Sequence, residues 1–178
     1  MVTGWDGTEL LVPHEVTRLE EITKQAWAEL RFGPPPAIEL SDVDAAWIAC
    51  AIDGEGTITI QLNNSKGRRS RYRAKVYVCN TNMDFLMHLA RLVDGSISIK
   101  NMPKVPGYKR CYQVFIRARA VKQLLERILP FLIIKRRQAQ LVLALCDAIE
   151  KAPLHMPSNH EIFERLWQEC KALNKRGT

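Results

Sequence analysis

The nine residues Ile48-Ala49-Cys50-Ala51-Ile52-Asp53-Gly54-Glu55-Gly56 constrain the fold more than any other stretch of the chain. They belong to a helix that Ser41 opens, with Asp44 three residues on at capping-box spacing. Ala45, Ala46, Ala49, Cys50 and Ala51 are small enough for a second helix backbone to approach closely, and Ala45, Ile48, Ala49 and Ile52 are the residues expected to meet such a partner. Gly54 and Gly56 supply permissive backbone that ends the helix, and Thr57-Ile58-Thr59-Ile60-Gln61-Leu62 alternates at once as a strand does. Glu55 therefore stands on the joint, where the helix macrodipole places partial negative charge beside a carboxylate. A bound cation relieves that clash. A second copy of the helix would bring two carboxylates and two helix C-termini together, an oxygen-rich pocket suited to Mg²⁺. Without a partner or a metal, Asp53 and Glu55 are solvated turn residues after a core helix.

Alternation assigns faces to the strands beyond this helix. In the first strand Ile58, Ile60 and Leu62 point inward, leaving Thr57, Thr59, Gln61 and Asn63 outward. After a polar turn, Tyr72, Ala74, Val76 and Val78 form the apolar set of a return strand, with Arg71, Arg73, Lys75 and Tyr77 opposite. Residues 61 to 78 carry Lys66, Arg68, Arg69, Arg71, Arg73 and Lys75 and no acid, whereas a merely solvated sheet face mixes both signs. The whole chain, 178 residues with 26 Lys and Arg against 19 Asp and Glu, has a formal charge of +7. A single-sign field of this kind suits a polyanion, and a β-ribbon bearing Arg, Lys, Gln and Asn suits the DNA major groove.

Elsewhere helical spacing predicts an amphipathic helix from His14 to about Arg31, ended by Gly33-Pro34-Pro35-Pro36, and a helix capped by Thr81, with Asp84 three residues on and Phe85, Leu86, Leu89 and Leu92 inward. A second hairpin, Ser96 to Asn101 and Tyr108 to Ile116, turns Ile97 and Ile99 inward and Ser96, Ser98 and Lys100 outward, with Lys104, Lys109, Arg110 and Gln113 nearby. Helices over Arg119 to Leu129, Lys135 to Ile149 and a last one capped by Ser158 complete the chain. This length suits one domain, residues 41–178, preceded by an extension over 1–40. Five scattered cysteines without a Cys-x-x-Cys pair predict neither a disulfide framework nor zinc. No apolar run of about 18 residues and no basic-then-apolar leader is present, so a soluble, intracellular protein without a membrane partner is expected.

Ile48 to Gly56 resembles the signature of the LAGLIDADG homing endonucleases. The likeness extends to Val78-Cys79-Asn80-Thr81-Asn82, to Leu129-Pro130-Phe131-Leu132-Ile133-Ile134-Lys135-Arg136-Arg137-Gln138-Ala139, and to the closing Leu173-Asn174-Lys175-Arg176-Gly177, covering about residues 42 to 150 and the C-terminus. It implies an α+β, α-β-β-α-β-β-α core with a four-stranded antiparallel saddle on double-stranded DNA, supplemented here by N- and C-terminal helices. It implies an intron-encoded hydrolase with Glu55 as ligand to magnesium, Lys135 as a transition-state or water-network lysine, and Asn80 as a water-organising residue, with no small-molecule substrate. The signature occurs once, and cutting two strands needs two acidic sites, so the resemblance implies a homodimer on a pseudo-palindromic target. Cys50 and Ala51 depart from the family's usual glycine and larger apolar residue, which widens the expected helix contact. A non-cleaving DNA-binding protein and an RNA-binding splicing maturase of the same fold are the alternatives. The low aromatic content, 7%, speaks against single-stranded base stacking on RNA.

Overall fold

The structure, a computed structural model, describes residues 39–63, 71–93, 95–101, 109–151 and 159–175. The helix expected over residues 14–31 and the basic residues Lys66, Arg68, Arg69 and Lys104 lie outside them. The first described helix, α1, spans Asp42–Glu55. Its N-cap is Ser41, whose Oγ accepts the Asp44 N–H at 3.1 Å and donates to Asp44 Oδ2 at 2.6 Å. Strand β1, Gly56–Asn63, follows without a break and pairs antiparallel with β2, Arg71–Asn80, from Gly56 opposite Val78 to Asn63 opposite Arg71. Helix α2, Met83–Leu92, leads to β3, Gly95–Asn101, and β4, Cys111–Ile116, giving one sheet in the order β1-β2-β4-β3. Helix α3, Ala118–Ile128, tightens into a 3-10 turn over Leu129–Phe131, and α4, Arg136–Lys151, and α5, Asn159–Leu173, finish the described chain. This is the α+β architecture that the alternation predicts.

The strand faces divide as the period-two pattern requires. Ile58, Ile60, Tyr72, Val76, Val78, Val114 and Ile116 are buried and share one core with Leu86 and Leu89 of α2, Leu124 and Leu125 of α3, and Val142 and Leu145 of α4. On the opposite face every described position is exposed or half-exposed. Helix α5 closes the β1 edge: Leu166 and Cys170 join the core, Asn174 Nδ2 donates to the Ile58 carbonyl at 3.0 Å, and the Tyr72 hydroxyl donates to Glu164. Burial, with the Glu164 carboxylate adding to it, pushes the Tyr72 phenol up to about 12.

Several expectations are corrected. Ala45, Ile48, Ala49 and Ile52 are fully buried in the chain's own core and leave a different face of α1 for any partner. Asn82, not Thr81, caps α2, its Oδ1 accepting the Phe85 N–H at 3.0 Å. Ile99, expected inward, is 43% exposed; it is the last regularly paired residue before the β3–β4 register shifts toward Asn101. Of the two glycines at the helix exit, Gly56 is the one whose role is steric. Gly54 is helical, and Gly56 has an ordinary extended φ of −93°. A Cβ at Gly56 would lie 2.7 Å from Ile52 Cα and 2.8 Å from Ile52 O, both rigid backbone. Gly56→Ala should therefore force the helix and strand apart and cost about 2 kcal/mol, the range of core overpacking, measurable as a fall in denaturation midpoint. Gly54→Ala, where a Cβ meets nothing of its own chain within 4 Å, should leave the packing of this helix on its strand unchanged.

Candidate functional site

The end of α1 and the start of α4 meet through Asp53. Its carboxylate accepts three successive backbone N–H groups, from Ile133 at 2.7 Å, Ile134 at 3.1 Å and Lys135 at 2.8 Å. These precede α4, whose first turn begins with Ala139 N–H on the Lys135 carbonyl, so the acid occupies the positive N-terminal end of that helix. In return Lys135 Nζ donates to the Asp53 carbonyl in the last turn of α1, a cation at the negative end. Two unfavourable helix termini are thereby matched to each other. The segment is further fixed by Arg136, which donates to the carbonyls of Leu132 at 2.8 Å and Pro130 at 3.0 Å.

Lys135 is half-buried, and desolvation lowers its ammonium from the ordinary lysine value, while the carboxylates of Asp53 and Glu55 oppose the shift. The charged form is consequently lost at a lower pH than for an exposed lysine. Glu55 itself is exposed, two residues beyond the clasped Asp53. Asn80 ends β2 two residues past Val78, the partner of Gly56, and so lies at the same end of the sheet as Glu55. Its Oδ1 accepts the Asn82 N–H at 2.8 Å, within the turn that leads into α2. The sequence-predicted trio Glu55, Lys135 and Asn80 thus occupies one sheet end, with Asp53 as the positioning residue that sequence reasoning left among the turn residues.

From that end runs the open sheet face. Register places Gln61 opposite Arg73, Asn63 opposite Arg71, and Thr59 opposite Lys75. The row Thr57, Tyr77, Phe115, Ser96 crosses all four strands, and Cys79, Gln113, Ser98 crosses three. Gln113 Nε2 donates to Ser98 Oγ at 3.3 Å, and Lys100 Nζ donates to Cys79 Sγ at 3.1 Å. Lys109 and Arg110 lie just before β4, exposed and half-exposed. Phe115 was not among the sequence-predicted face residues, although the alternation Cys111, Gln113, Phe115 contains it.

The outward stripe of α1 consists of the exposed Val43, Cys50 and Gly54, flanked by Trp47, whose half-buried ring packs on Phe85 and His88 of α2 with centroids 5.4 and 4.8 Å away. Val43 is 79% exposed; beside the other end of the helix, Ile133 and Ile134 on the Asp53-bound segment are 85% and 69% exposed. Among the described residues no group of three His, Cys, Asp or Glu side chains gathers as a metal cluster. No described helix is long and apolar enough to cross a membrane.

The same fold occurs in solved LAGLIDADG homing endonucleases. The chain is similar to I-CvuI in complex with its target, at 21% identity and a TM-score of 0.64 over 76% of this chain and 84% of that one. It is similar to the archaeal intron-encoded I-Vdi141I complexed with DNA, at 15% identity and 0.64 over 77% and 87%. It is also similar to the group I intron-encoded I-CeuI complexed with DNA, at 14% identity and 0.62 over 100% and 92%. No family model and no curated protein matches the chain.

Asp53→Ala should release both helix ends. With hydrogen bonds to a charged acceptor contributing about 1.5–3 kcal/mol and the site only half-buried, a net loss of about 2 kcal/mol is expected in denaturant titration. The variant also removes a carboxylate that holds the Lys135 ammonium up against its desolvation, so the lysine should titrate further below the ordinary value, read by NMR titration of its side chain.

Proposed function

We propose that this chain is a site-specific, metal-dependent endonuclease that makes a double-strand break in duplex DNA as a homodimer. The observation that carries this reading is the juxtaposition at one sheet end of an exposed Glu55, a Lys135 clamped beside it through Asp53, and an open sheet face lined with cations and amides. Lys75, Arg71, Arg73 and Lys100 would engage phosphates and guanine edges, and Gln61, Asn63 and Gln113 adenine edges. Glu55 is the residue that would hold Mg²⁺. One carboxylate per chain fits this ion, which usually keeps several waters and takes substrate phosphate oxygens in place of an all-protein cage. When bound, Mg²⁺ supplies water activation and neutralises charge at the leaving oxygen. Lys135 holds positive charge near the scissile phosphate, and its burial limits the solvent that would screen that charge. Asn80, with its amide oriented by the turn it closes, would position water.

A single Glu55 serves one strand, so a second copy serves the other. The outward stripe of α1 supports this: Val43, Cys50 and Gly54 present a small, apolar surface to a partner helix, and Ile133 and Ile134 extend it beside the acid. A twofold pairing there would place both Glu55 side chains beneath the interface, with the two sheets as a saddle over a pseudo-palindromic site.

Glu55→Gln removes the metal-binding charge with little change of shape. In a cleavage selection on a partly randomised palindromic duplex library, the unaltered protein should cut one defined site with Mg²⁺ and bind it uncut with Ca²⁺. The E55Q variant should bind and not cut; full cutting by it would refute the role given to Glu55. Specific binding without any cutting by the unaltered protein would make the chain a DNA-binding dimer instead.

The dimer is tested separately by light scattering. Cys50→Arg should give a folded monomer by circular dichroism, while the unaltered chain has twice the mass; a monomeric mass for the unaltered chain bound to DNA would rule out the twofold arrangement.

A further inference from the structure

The open sheet face carries one feature that phosphate contact and polar base reading leave without a task. Among its described positions all are aliphatic hydroxyl, amide, thiol or cationic except Tyr77 and Phe115. These two are direct cross-strand partners on the central strands, with ring centroids 5.7 Å apart and planes inclined at 50°. A Lys75 ammonium stands over both rings, 5.3 Å from the Tyr77 centroid and 4.8 Å from that of Phe115, and Lys100 stands 5.4 Å from Tyr77. With ammonium groups over the rings, the pair is a poor platform for stacking unpaired bases. To a groove it offers an apolar surface about two side chains wide, bounded by the small hydroxyl residues Thr57 and Ser96 of the same row.

In the major groove the apolar group that unmodified base pairs display is the C5-methyl of thymine. Resting on the duplex-DNA reading, we propose that Tyr77 and Phe115 form a subsite that reads a pyrimidine C5-methyl group, that of thymine, in each half of the target. Its position is set by the register. Thr57, opposite Tyr77, is two residues from Glu55, so the aromatic row lies at the acid end of the face. The thymine it reads therefore sits in the base pairs near the cut, toward the centre of the site, while Arg71 and Arg73 serve outer positions. Lys75 and Lys100, held over the rings, border the same pocket and disfavour a base whose groove edge presents an amino donor there.

The test uses the full chain and duplexes selected from a randomised library in Ca²⁺. Each thymine of the selected duplex is replaced in turn by uracil, which deletes the methyl group alone. One central thymine per half-site should weaken binding about fourfold when replaced, the effect of losing one buried methyl group, with other thymines nearly silent. Cytosine at that position should be rejected and 5-methylcytosine partly accepted, which separates the methyl group from the rest of the base. In Phe115→Ser and Tyr77→Gln the uracil penalty should vanish. Uniform tolerance of uracil in a tightly bound duplex would overturn the subsite and leave the duplex-DNA reading intact, as would a uracil penalty unchanged in both variants. Failure to bind any duplex, or preference for single strands, would overturn both.

Discussion

Everything at the candidate site depends on the mutual clasp of Asp53 and Lys135. A carboxylate near the C-terminus of α1 is electrostatically misplaced, and the N–H groups ahead of α4 are donors in need of partners. Setting one against the other resolves both difficulties without a metal ion. The acid takes N–H groups from Ile133, Ile134 and Lys135, and the lysine ammonium returns to the carbonyl of the same aspartate. Glu55 is then an exposed carboxylate left outside the clasp, beside a lysine whose position is fixed at the backbone as well as at the side chain.

The sheet separates two duties by strand period. Inward residues such as Ile58, Val76 and Val114 join helices in a dry core, so the outward residues are free of any packing requirement and need only be soluble. That freedom is what allows a cationic face to coexist with a stable fold. Helix α5 reinforces the arrangement at its weakest line, the β1 edge, where Asn174 takes the Ile58 carbonyl and Tyr72 meets Glu164.

Much of this was legible in the sequence, for identifiable reasons. Alternation from Thr57 to Leu62 and from Arg71 to Val78 fixed the strands and their faces, because a period of two leaves no ambiguity once one side is apolar. Ser41 and Asp44 located the start of α1. The buried face of that helix was not legible: from Ala45 to Ile52 every residue is apolar, so no side of the helix is marked, and Ala45, Ile48, Ala49 and Ile52 were assigned to a partner when they fill the core. Asp53 was missed because its partners lie some 80 residues away and are backbone groups, which no side-chain pattern advertises. The cap expected at Thr81 falls one residue later, because it is the Asn82 side chain that accepts the Phe85 N–H. Phe115 shares the face of Gln113 by plain alternation, but as an apolar residue it carries none of the cationic or amide character by which that face was recognised; the strand itself starts at Cys111, not Tyr108.

The span of the clasp has a kinetic meaning. Closing residue 53 onto residues 133 to 135 encloses the entire sheet, and contacts so distant in sequence form only after the intervening chain has surrendered its conformational entropy. Loop-closure entropy therefore favours the short-range hairpins over the meeting of the acid and the lysine as early contacts. Because the clasp draws on both ends of the sheet-forming segment, an assembled centre requires a completed fold, whereas the cationic strands require only their hairpins.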